Sequence, residues 1–172
     1  LNFMGNEIGM FREWDEKREL DWFLLGYPRH AAFARFFRDL SRIYSHHRAL
    51  SRYDFEFRGF RWIDADNGEQ SVYSYYREDE QKYMVVVLNM TPASYEHFRI
   101  GVPQRGSYSE LLNTEKDIYD GCNMCNYEPV KSEDIPMHHF EQSIDIRVAP
   151  FAGILFFCRK QPAASGRKKT EN

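Results

Sequence analysis

Glu7 stands between Gly5 and Gly9, directly after the short apolar run Leu1-Asn-Phe-Met4. A buried strand that ends in a glycine-flanked carboxylate is how parallel barrels deliver side chains to their C-terminal mouth, where ligands bind. Arg12, Trp14, Asp21 and Trp22 follow within one charged loop. An indole face stacks on the C–H face of a sugar ring, and an Arg or Asp beside it can grip ring hydroxyls. Glu7, Arg12, Trp14, Asp21 and Trp22 are therefore the candidate substrate-binding residues, and the chemistry they point to is recognition of uncharged polyols. Each also has a plainer reading. The tryptophans can be packing between two domains, Arg12 and Asp21 an ion pair across that junction, and Glu7 a structural hydrogen-bonding group.

The elements that must hold these residues are a strand over Leu1–Met4, the loop to Trp22 and a helix. The helix is expected from Pro28 to about His46, because Phe33, Phe36, Phe37, Leu40, Ile43 and Tyr44 recur at three- and four-residue steps. Pro28 suits a first helical turn, and His46, His47 and Arg48 suit the negative end of the helix dipole. Arg29, Arg35, Arg38 and Asp39 fall on the opposite face. One strand–helix unit cannot bury itself, so residues 1–50 read as the end of something larger.

From residue 51 the period changes to two. Strands are expected at Phe60–Ile63, Val72–Arg77, Lys82–Asn89, Tyr95–Ile100, Ser107–Leu112, Ser143–Val148 and Ile154–Arg159, with a hairpin turn at Ala65-Asp-Asn-Gly68. Short strands punctuated by Gly and Pro predict a β-sandwich over residues 51–160. Asn113 to Met137 is a long polar connection, and residues 161–172 read as a disordered tail. Tyr73, Tyr75 and Tyr76 could form an aromatic strip for sugar, or be the alternating residues of an ordinary strand.

Several of these segments carry a family resemblance. FMGNEIG, REWDEKRELDW, YPRH and RDLSRIY resemble the C-terminal part of 1,4-alpha-glucan (glycogen) branching enzymes of the alpha-amylase superfamily. VVVLNMTP, GVPQRGSYSELLNT and VAPFAGILFF resemble that family's all-β C-terminal domain. The FMGNE-type motif is shared across the superfamily, whereas REW and LDW flanking a charged spacer are more specific. Ala32, Ser41, Cys122 and Cys125 depart from the pattern without touching sugar chemistry. The resemblance implies an α+β, mainly β fold: the last strand–helix unit of a (β/α)8 barrel followed by an all-β sandwich. It implies an α-glucan substrate, no metal or organic cofactor, and catalytic carboxylates that precede Leu1, because retaining chemistry takes a nucleophile and an acid from the ends of different strands. The segment alone is then expected to be inactive, with the missing barrel as its partner and self-association as a consequence of losing it.

Composition narrows the alternatives. A hydrophobic fraction of 42% and an aromatic fraction of 16% fit a globular β-rich protein. A net charge of only -3, with Lys and Arg dispersed, argues against nucleic-acid binding. No apolar run approaches a membrane span. Cys122-Asn-Met-Cys125 has the spacing of a zinc or redox pair but lacks a second pair, so all three cysteines read as reduced thiols of a cytoplasmic protein. Two rival functions remain: the end of another alpha-amylase-superfamily enzyme, and a stand-alone carbohydrate-binding module.

Overall fold

Three successive valines, Val85 to Val87, cannot alternate between wet and dry faces, so the strand that carries them needs cover on both sides. The computed structural model supplies that cover, and it describes residues 3–160. Leu1, Asn2 and the segment 161–172, including the expected tail, lie outside the described residues. The chain runs through short 3-10 turns at Asn6–Ile8 and Trp22–Gly26 into the helix α1 (Pro28–His46). Then come β1 (Arg61–Asp64), β2 (Val72–Glu78), β3 (Lys82–Asn89), β4 (Tyr95–Val102), β5 (Ser107–Asn113), β6 (Val130–Lys131), β7 (Gln142–Val148) and β8 (Gly153–Arg159). A six-stranded antiparallel sheet has the order β1-β2-β3-β8-β5-β6, and β4 pairs with β7 in a two-stranded sheet.

The valine strand β3 is central, bonded to β2 on one edge and β8 on the other. Its Val85 and Val87 face inward and join Ile154 and Phe156 of β8, Ile100 of β4 and Ile144 and Ile146 of β7 in a cluster of 16 buried residues. Met84 points the other way, with Leu155 and Leu112, toward Ala49 and Leu50 after the helix, in a cluster of 5. Each buried aliphatic side chain contributes about 1.5–3 kcal/mol, so the space between the sheets carries most of the stability and the helix face is secondary.

Among the described residues, buried Ser74 has no hydrogen-bond partner for its Oγ, whereas Asn89 is fully matched. Asn89, buried at the end of β3, donates to the carbonyls of Ala93 and Ala149 at 2.7 and 2.8 Å and accepts from Thr91 N–H and Oγ1. That one side chain fixes the turn through Thr91-Pro92. The long polar connection after β5 is pinned rather than loose: the Glu110 carboxylate accepts from Asn113 Nδ2 and from Asn126 N–H at 2.8 Å. Within that connection lie the short strand β6 and a 3-10 turn, Asp117–Tyr119.

Three expectations change. Phe3 and Met4 form no strand, because Phe3 carbonyl accepts from Asn6 N–H and the chain turns at once, with no neighbouring strand to bond among the described residues. The expected (β/α)8 barrel end is thus represented among the described residues by turns, a loop and α1. The expected tight turn at Ala65–Gly68 is instead the first part of a longer β1–β2 loop closing at Ser71, whose φ is 49°. Two polar side chains of α1 reach the connection after β5: exposed Arg35 donates to Ile118 carbonyl and Asp39 accepts from Tyr119 hydroxyl at 2.9 Å.

Candidate functional site

The segment Gly5–Gly9 is a knot of backbone bonds. Gly5 adopts φ 90° and Gly9 φ 64°, left-handed values that glycine reaches without strain. Gly5 carbonyl accepts from the N–H groups of Ile8 and Met10, and Glu7 Oε2 accepts from Gly5 N–H at 3.1 Å. Ile8 is buried, and its carbonyl lies 2.8 Å from His30 Nδ1 in the first turn of α1. A carbonyl can only accept, so that ring nitrogen carries the proton. The structure thus gives Glu7 a backbone partner in its own turn.

The loop that follows is closed by a fork. Arg12 Nε donates to both oxygens of Asp21 at 2.9 and 3.0 Å, and Nη2 donates to Asp21 Oδ1 at 2.8 Å and to Glu19 carbonyl at 2.7 Å. The shared hydrogen bonds raise the Arg12 pKa and lower that of Asp21, so both stay charged. Asp21 N–H also lies 3.5 Å from Met10 Sδ, which ties the two ends of the loop together. Within the loop Asp15 accepts from Lys17 N–H and pairs with Arg18. Arg12 and Asp21 therefore meet, as an ion pair inside one loop rather than across a domain junction.

Trp14 sits on this loop with 40% of its surface exposed and its ring edge-on to Phe3, 5.6 Å away at 85°. With Phe3, Asn6, Met10, Arg12 and Glu13 it lines a shallow cleft of about 310 Å3. Glu7 does not line that cleft. Trp22 is 51% exposed and opens the 3-10 turn beyond the loop, outside the cleft. The structure brings Arg12 and Trp14 to one cleft, bonds Asp21 behind it, and leaves Glu7 and Trp22 at its margins. Two roomier hollows of about 700 Å3 are mainly apolar, one between α1 and the six-stranded sheet, the other beside Phe11, Leu24 and Tyr27.

A second aromatic surface lies on the sandwich. Phe60, Trp62 and Tyr75 contact one another with centroids 4.9, 4.7 and 5.9 Å apart, and Trp62 is 53% exposed. The tyrosine strip considered from sequence splits here: Tyr75 joins this platform, whereas Tyr76 packs on Tyr83 and Phe140. Phe60 and Trp62 are missed by reading β2 alone. The alternation Phe60–Trp62, set opposite Tyr75 in the β1–β2 pairing, is the signal that finds them.

Comparison with known proteins places this architecture. Residues 62–159, more than half of the chain, match the family described as alpha amylase, C-terminal all-beta domain. The chain belongs to that family. This alpha-amylase C-terminal domain, with the segment before it, is 43% identical over 156 residues to the 1,4-alpha-glucan branching enzyme GlgB of Thiobacillus denitrificans, which covers 90% of this chain and 21% of the relative. It is 42% identical to the enzyme of the same name from Nitrosococcus oceani over 90% of this chain and 21% of the relative, and 40% identical to that of Nitrosospira multiformis over 95% and 22%. The chain spans about a fifth of the length of these curated relatives. A solved structure of the trehalulose synthase MutB shares the fold, at a TM-score of 0.50 and 18% identity over 77% of this chain and 19% of that one. The expected mainly β fold with an all-β C-terminal domain is borne out. Among the described residues no helix is long and apolar enough to cross a membrane.

Proposed function

We propose that this chain is the C-terminal part of a 1,4-alpha-glucan branching enzyme that cleaves an α-1,4 glucan and transfers the cut chain to a C6 hydroxyl, making α-1,6 branches in glycogen biosynthesis. One observation carries the reading: the likeness to branching enzymes covers 90–95% of the chain, well beyond the 98 positions from 62 to 159 that the family shares, and so takes in α1 and residues of the loop before it, where the REW and LDW motifs lie. In this reading residues 1–50 complete a (β/α)8 barrel, residues 51–160 are its β domain, and the protein is cytoplasmic, consistent with three free thiols.

Branching instead of hydrolysis requires an acceptor sugar to outcompete water, so exposed stacking surfaces matter. Trp14 is the residue of the first cleft best placed to stack on a glucose ring. Arg12 and Asp21 hold its loop, and Glu7 and Trp22 complete the margin. The platform of Phe60, Trp62 and Tyr75 supplies a second such surface. The chemistry itself is assigned to carboxylates of the barrel, so the 172-residue chain alone does not act on amylose.

The deciding assay incubates amylose with the longer protein that contains this chain and counts α-1,6 linkages by debranching. New branches with no net gain of reducing ends are expected. Hydrolysis without branching sinks the reading in favour of another member of the superfamily, and rearrangement of amylose by the 172-residue chain unaided sinks the division of labour.

A further inference from the structure

Three departures from regular backbone meet at one place on the sandwich. Ser71, closing the β1–β2 loop, has φ 49°; His138 and His139, before β7, have φ 49° and 68°; and the β4–β7 pairing slips between Tyr95 and Phe98. Left-handed non-glycine residues cost of order 1–3 kcal/mol each, and such strain gathers where a ligand is held. Bulges re-aim side chains in the same way. Between these irregular segments lies a cleft of about 250 Å3, walled by Asn67, Gln70, Tyr95, His97, Arg99 and His138. We propose that this cleft is a separate binding subsite for a single glucose unit of an α-1,4-linked chain.

Charge decides against an anion. Arg99 is taken up by Glu133 at 2.9 Å and by Ser143 Oγ at 3.0 Å; His97 Nδ1 faces Asp145 at 3.0 Å; His138 Nε2 faces Asp64 at 3.4 Å. The guanidinium of Arg99 already has its carboxylate, and both histidine rings of the wall face one. His138 Nδ1 accepts from Gly101 N–H at 3.2 Å, and Gly101 has no room for a side chain, since a Cβ there would lie 2.2 Å from Met137 carbonyl. That wall is therefore rigid. Asn67 Nδ2 donates to Gln70 Oε1 at 2.9 Å, which sets the loop side. What remains for a ligand is neutral: the Gln70 amide N–H groups and the Tyr95 hydroxyl have no partner among the described residues. An aromatic edge, a planar amide and a hydroxyl around a volume just below the roughly 300 Å3 of the smallest drug-sized pockets fit one uncharged ring. The choice of an α-linked glucose rests on the branching-enzyme reading; the cleft and its neutral lining do not.

The test is a 1H–15N NMR titration of the 172-residue chain with maltotriose, run beside cellotriose. Saturable shifts are expected at the amides of Gln70, Tyr95, His97 and Gly101 with maltotriose only. Gln70→Ala and Tyr95→Phe, which remove one exposed amide and one hydroxyl, should together weaken that binding about tenfold with the remaining spectrum intact. Trp62→Ala should leave the four shifts in place, separating this cleft from the aromatic platform. Absence of shifts at those amides, equal shifts with cellotriose, or undiminished affinity in the double variant overturns the proposal. The branching reading is judged independently by α-1,6 linkages formed by the longer protein, so either can fall without the other.

Discussion

Arg12 spends four hydrogen bonds on two partners nine and seven residues away, which makes it a brace for the loop that carries Trp14. Arg12→Ala should therefore release the loop without unfolding the sandwich. Hydrogen exchange at residues 13–20 is expected to quicken about tenfold while β3 and β8 are unchanged, and an unaltered loop would refute the brace. Asp21→Asn keeps the shape of the acceptor and loses its charge, so it should fall between wild type and Arg12→Ala. Glu80 gives a pH prediction. Its own backbone N–H, Arg52 and the Tyr53 hydroxyl hold its carboxyl down to about 2 from an ordinary 4.5. A depressed folded-state value means the stabilisation is complete above 4.5 and disappears as pH falls from there toward 2. Denaturant midpoints of wild type should drop more steeply between about pH 4.5 and 2 than those of Glu80→Gln, and parallel curves would refute the assignment. At this scale residue types were readable and partners were not. Arg12 and Asp21 stood out as a pair in the sequence, but only the folded loop shows them bonded to each other instead of offered to a ligand.

The helix α1 was legible to its end residues, because a 3.6-residue period with Pro at the start leaves little choice. Which way it faces was not legible. Phe36 and Ile43 pack on the sheet, Tyr119 is edge-on to Phe36 at 5.5 Å, and Phe33, Leu40 and Tyr44 stay open. Such a contiguous apolar strip favours self-association of the chain. Sedimentation velocity should show a concentration-dependent dimer, and Leu40→Glu should weaken it about tenfold or more by removing one aliphatic contact. A concentration-independent monomer would refute this. The connection after β5 makes a second prediction. Cys122 is exposed, whereas burial pushes the buried Cys125 thiol up to about 11 and raises that of Cys158. Iodoacetamide at neutral pH should add once, at Cys122, by mass spectrometry, with the other two reacting only on unfolding. Rapid labelling of Cys125 would contradict the pinned connection.

For the molecule as a whole, the two sides of the six-stranded sheet are unequal, 16 buried residues between the sheets against 5 beneath the helix. Native-state exchange should accordingly be slowest in β3, β8 and β7 and fast through residues 5–27, where bonds are mostly local. Uniform protection of both regions would mean that the helical segment is a full partner in the fold. The amino-acid sequence by itself determined the positions of seven of the eight strands among the described residues, and of the helix, because alternation and helical period are written in neighbouring positions. It did not determine that β4 leaves the main sheet to pair with β7, that Asp39 reaches Tyr119, that Phe60 and Trp62 meet Tyr75, or that Gln70, Tyr95 and His138 surround one cleft. Those are meetings between residues far apart along the chain, and they are decided by how the two faces of β3 are covered.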